Sequence, residues 1–110
     1  PGSGAEVISL RSGHWLLISN DVEEGRGRLT LMLSDDEGQT WKWRRALEED
    51  PSGNARYHYP TLAQSADGSI HAVYSHHIEE SAAPKDSQGK PMAKTIKHAH
   101  FNEEWVQAKP

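Results

Sequence analysis

The side chains that offer chemistry in this sequence are imidazoles, guanidinium groups and large aromatics. Seven histidines stand in 110 residues, and His98-x-His100 places two of them on one face of any strand, with His58 and His76-His77 elsewhere in the chain. That alternation can begin a metal site. No Cys, Asp or Glu motif accompanies it, so the histidines read as solvated or loop-anchoring groups, and neither a metal nor any other cofactor is expected. Arg26, Arg28 and Arg56 compete for the role of anion ligand, since a guanidinium grips a carboxylate through two parallel bonds. Trp41, Trp43 and Trp105 read first as core anchors and second as stacking platforms for a sugar ring. The runs Glu23-Glu24 and Glu48-Glu49-Asp50 are solvated loop charge.

The elements that must position these groups are short strands. Glu6–Leu10 and His14–Asn20 flank a turn at Arg11-Ser12-Gly13, and the second of them is apolar on both faces, which predicts a sheet covered on each side. Residues 21 to 27 form an acidic, glycine-containing loop. Arg28–Leu33 and Lys42–Leu47 alternate and flank a polar turn, Ser34-x-Asp36-x-Gly38-x-Thr40-Trp41, in which short side chains bond back to the backbone and Gly38 supplies a positive φ. After a breaker at 48–54 the plan repeats. Arg56–Ala63 is a strand that must place Pro60 at an edge or a bulge, and Asp67-Gly68 turns into Ile70–Ser75. A polar loop from His76 to Pro91, expected to be mobile, leads to Lys94–His100 as a third strand and Val106–Ala108 as a fourth.

The turn from Ser34 to Trp41 resembles, at every defined position, the Asp-box of the BNR repeat found in sialidases and their relatives. In that family it joins the third and fourth strands of a propeller blade. Aligning Trp105 with Trp41 gives a degenerate second box with Asn102 in place of Gly38 and His98 and His100 in place of Ser34 and Asp36. The resemblance therefore implies an all-β fold of two four-stranded antiparallel propeller blades. Residues 6–50 form the first blade and 51–110 the second, after a tag or linker remnant at 1–5.

The resemblance also implies roles. Tyr59, in Tyr59-Pro60-Thr61-Leu62, takes the place of the family's nucleophilic tyrosine, with Tyr57 beside it. Arg26, three residues before Leu29, takes the place of one arginine of the carboxylate-binding triad. The other two arginines, the acid/base Asp and the Glu that partners the tyrosine belong to earlier blades. The expected function is accordingly carbohydrate binding, with an acidic sugar as the candidate ligand, or assembly without catalysis; an exo-glycosidase active only in a completed ring is the alternative.

Composition bounds these readings. A net charge of -4 and a pI near 6.0 give no basic footprint for nucleic acid, and no apolar run approaches a membrane span. The absence of cysteine excludes a disulfide framework and thiol catalysis and leaves the compartment open. With 35% hydrophobic residues, two blades would leave apolar faces wet. Self-association of three copies into a six-bladed ring is the expected remedy; a monomer cut from a larger chain and a closed eight-stranded barrel are the rivals.

Overall fold

The computed structural model describes residues 5–20, 27–50 and 55–108. Seven strands form two antiparallel sheets, in the order β1-β2-β3-β4 and β5-β6-β7. The first comprises β1 (Ala5–Ser9), β2 (Trp15–Ser19), β3 (Arg28–Ser34) and β4 (Trp43–Glu49); the second comprises β5 (Ala55–Gln64), β6 (Ile70–Ile78) and β7 (Lys94–Phe101). Within each sheet, every strand pairs with the next in sequence, as period-two patterning favours. Pairing slips between Leu29 and Thr30, and again between His58 and Thr61, where Pro60 cannot donate to a ladder.

The expected fourth strand of the second unit is a helix instead, α1 (Glu103–Gln107). Asn102 caps it, its side chain accepting from the Trp105 amide, and Glu103 and Glu104 in the first turn suit the positive end of the helix dipole. The helix is tied to the first sheet. Glu103 takes hydrogen bonds from Ser12 and lies 3.1 Å from His14 Nδ1, while Arg45 donates to the Trp105 carbonyl at 2.7 Å and covers its ring at 3.7 Å.

The core lies between the sheets. Leu16, Ile18, Leu29, Leu31 and Leu33 point from the first sheet and are fully buried, against Tyr57, Leu62, Ile70, Ala72, Tyr74 and Phe101 from the second and Val106 of α1. Each such leucine contributes about 1.5–3 kcal/mol through burial. At the seam β1 lies along β5, where Glu6 Oε1 accepts from the Leu62 amide at 2.7 Å and the Arg11 amide donates to Gln64 Oε1 at 2.9 Å.

The two sheets stay open, which overturns the closed-barrel alternative. The radius of gyration is 15.1 Å against about 13 Å for a compact chain of this length, as an open wedge requires. The expectation of cover on both faces of the first sheet is met on one face only. On the other, Val7, Leu17 and Met32 form a cross-strand row with Val7 exposed and its neighbours half-buried.

Candidate functional site

Antiparallel order sends the turns of this fold to two ends, and the polar residues at the ends behave differently. At one end the Ser34–Trp41 turn is closed on itself. Ser34 Oγ donates to Asp36 Oδ1 at 2.7 Å and accepts from the amides of Gly38 at 2.9 Å and Asp36 at 3.3 Å. Asp36 in turn accepts from the Thr40 amide at 2.8 Å and the Thr40 hydroxyl at 2.5 Å. These bonds, Thr40 foremost and Ser34 after it, hold the Asp36 carboxyl down to about 2. Gly38 sits at φ 85°, and a Cβ there would meet the Trp15 ring at 3.1 Å. The polar atoms of Ser34, Asp36 and Thr40 are spent on one another, with the half-buried Trp41 packed beside them.

At the same end, Asp67 repeats the device in the β5–β6 turn, where Ser65 and Ser69 bond to its Oδ1 and hold its carboxyl well below the usual range. A cleft of about 600 Å³ opens beside it, walled by Leu47, Phe101 and Trp105 and edged by His100.

The opposite end gathers the finish of β2, β4 and β6 and the start of β3, β5 and β7. There the hydroxyl of buried Tyr74 donates to Glu48 Oε2 at 2.5 Å, and Lys97 Nζ reaches the same oxygen at 2.5 Å. Tyr57, 4% exposed, packs edge-on to Tyr74 and stacks on His76 with ring centroids 5.3 Å apart. Burial, then the charges of Glu48 and Asp50, push the Tyr57 phenol up to about 12. Burial and the bond to Glu48 raise Tyr74 further, and desolvation followed by Lys97 lowers His76. These groups therefore stand neutral at neutral pH around the Glu48–Lys97 contact. Asp50 closes the β4–β5 connection by accepting from the Ala55 amide at 2.7 Å.

At the β5 bulge stands Tyr59, 71% exposed and held at φ 53°, a left-handed conformation rare for a bulky side chain. Its ring lies 5.9 Å from that of His58, and its hydroxyl has no hydrogen bond among the described residues. Asn20, wholly buried at the end of β2, donates to the Tyr57 carbonyl at 3.3 Å, while its Oδ1 is unsatisfied among the described residues.

The sequence candidates are thus divided among different surroundings. Arg26 lies outside the described residues. Arg28 is half-buried with Nη1 3.5 Å from Glu49. Arg56 is exposed on the opposite face of β5 from Tyr57, in register with His77. The bulge at Tyr59-Pro60 breaks the strict alternation that would have put Tyr57 and Tyr59 on a common face; the first is buried and the second is not. Glu48, expected as solvated loop charge, instead lies in β4 with its carboxylate largely covered by Tyr74 and Lys97. His76, a sequence candidate only for metal, stacks on Tyr57, and sequence reasoning singles out neither Tyr74 nor Lys97 as a site residue. The available signal was the inward register Ile70, Ala72, Tyr74, His76, in which an apolar face turns polar as the strand leaves the core.

Two antiparallel meanders packed face to face, with a self-bonded turn at one end and a polar, aromatic network at the other, define an all-β module of two open sheets. A family model described as a BNR repeat-like domain matches residues 1–72, and the chain belongs to that family. No curated protein and no solved structure matches the chain.

Proposed function

We propose that this chain is a carbohydrate-binding module of the sialidase-like BNR-repeat propeller kind, which takes an acidic sugar at the end bearing Tyr57, Tyr59 and Tyr74 and does not cleave it unaided. The observation that carries the reading is Tyr59. A bulky residue is held at positive φ and 71% exposed, at the β5 bulge two residues beyond the buried Tyr57. Strain of this kind persists where surrounding structure imposes it, and it clusters at ligand sites. An exposed aromatic ring suits the apolar face of a sugar, and Arg26 and Arg28 suit its carboxylate. The Ser34–Trp41 turn acts in this reading as an Asp-box, a structural clasp remote from the ligand. The cross-strand row Val7, Leu17 and Met32 favours packing against a further blade, and three copies closing a six-bladed ring is the assembly that would supply it.

Hydrolysis needs an activated nucleophile and an acid/base. Tyr57 and Tyr74 are held neutral, and the Tyr59 hydroxyl has no bonded base among the described residues. The strained display of Tyr59 favours one second reading, a glycosidase that acts only when the ring is complete. A glycan array and a fluorogenic sialoside separate the two. Binding that is lost in Arg26→Ala, with no turnover, supports the first; turnover abolished by Tyr59→Phe supports the second; silence in both assays contradicts each. Light scattering reads the assembly, with the mass of three chains expected.

A further inference from the structure

The pair His98-x-His100 acquires a third imidazole in the folded chain. Strand pairing sets His71 of β6 directly opposite His100 and diagonal to His98, all on the face of the second sheet turned away from the core. His71 Nδ1 lies 2.8 Å from His98 Nε2. Their ring planes differ by 9° with centroids 5.0 Å apart, so the rings meet edge to edge in nearly one plane, with the two nitrogens at hydrogen-bond distance. His100 stacks on the other side of His71 at 4.6 Å and 5°. His98 and His100 are exposed, His71 is half-buried, and the Ala72–Ala99 pairing between them keeps the backbone regular.

From this geometry we infer that His71 and His98 form a chelating site for a divalent transition-metal ion of the zinc, nickel or copper type. Two imidazole nitrogens on one tetrahedral zinc stand about 3.3 Å apart, given bonds of about 2.0–2.1 Å, so the pair has to open by only about 0.5 Å to admit the ion. When the ion enters between the two nitrogens, the ring that donated the hydrogen bond changes tautomer, its proton passing through solvent to its free nitrogen. His71 then binds through Nδ1 with its proton on Nε2, and His98 binds through Nε2 with its proton on Nδ1, so two neutral rings stay neutral and no net proton is released. Among the described residues no three His, Cys, Asp or Glu side chains already surround one point, so water fills the remaining positions. Imidazole ligands with water disfavour calcium and magnesium, which require oxygen donors. The net charge of -4 favours cation uptake. Ring closure would cover this face, so zinc uptake competes with assembly and the zinc-loaded species is expected at the mass of one chain.

The test is calorimetric titration of the untagged chain with zinc chloride, with imidazole resonances followed by NMR. The expected result is one ion per chain, with shifts confined to His71, His98 and His100. Affinity falls by about tenfold or more in His71→Gln and in His98→Gln and is unchanged in His14→Gln, whose ring lies on the other sheet. Thermal melts establish that each variant is folded. Absence of zinc uptake by the parent chain, or undiminished uptake by the folded His71→Gln/His98→Gln double variant, overturns the inference.

Discussion

The two ends of this sheet pair use similar residues for opposite purposes. At the Ser34–Trp41 end a carboxylate, two hydroxyls and a glycine amide satisfy one another within seven residues of chain, so the turn itself leaves little for a visitor and the cleft of that end opens elsewhere, beside Asp67. At the other end Glu48, Tyr74 and Lys97 come from three strands, and Tyr59 is displayed in a strained backbone at the β5 bulge. A turn whose polar groups are spent locally is a clasp, whereas a network assembled across strands leaves edges for a ligand. The contrast teaches that a recognisable motif and a binding site need not coincide.

The comparison can be broken by substitution. Ser34→Ala removes an acceptor used by two amides and is expected to cost about 2 kcal/mol in urea denaturation while leaving sugar binding by the folded fraction unchanged. Tyr74→Phe is expected to cost about 1 kcal/mol, and it also weakens sugar binding by freeing Glu48 and Lys97 to rearrange. Tyr59→Gly reverses the sign. Relief of the left-handed conformation, less the added freedom of glycine in the unfolded chain, stabilises by about 0.5 kcal/mol while binding is lost. A destabilised Tyr59→Gly would show that the tyrosine is held there by packing rather than at the expense of stability.

The smallest effects are in the pH profile, where each end dominates one limb. The unfolded chain protonates Asp36 near 3.8 and the folded chain only near about 2, so stability falls as pH drops through that window. The unfolded chain ionises Tyr57 near 10.0 and the folded chain only near about 12, so stability falls as pH rises through that window. Denaturation across pH is expected to show a flatter acid limb in Asp36→Asn and a flatter alkaline limb in Tyr57→Phe, each without change in the other limb.

Local chemistry explains what was legible in the sequence. The first meander, its register and the closed turn follow from period-two runs and from residues that bond to neighbours two and four positions away, a range that a sequence displays directly. Pro60 restricted its strand to an edge or a bulge for the same reason, without saying which residues the bulge would turn outward. The helix at Glu103–Gln107 was hidden because Val106–Ala108 is too short to show a period, although Asn102 followed by two glutamates was a capping signal. The Glu48–Tyr74–Lys97 network was hidden because its members are 26 and 49 residues from Glu48 and meet only when the sheets pack. Tyr59 was singled out by resemblance, but the bulge that separates it from Tyr57 depends on tertiary pairing.

The central claim is that the end bearing Tyr59 receives the sugar and the end bearing Ser34 does not. Titration of the chain with a sialoside, followed residue by residue by NMR, addresses it most directly. The account predicts saturable shifts at Tyr57, Tyr59 and His76, with Ser34, Asp36 and Gly38 unmoved and the response abolished by Tyr59→Ala. Shifts centred on the Ser34–Trp41 turn, or a full response in folded Tyr59→Ala, would contradict it.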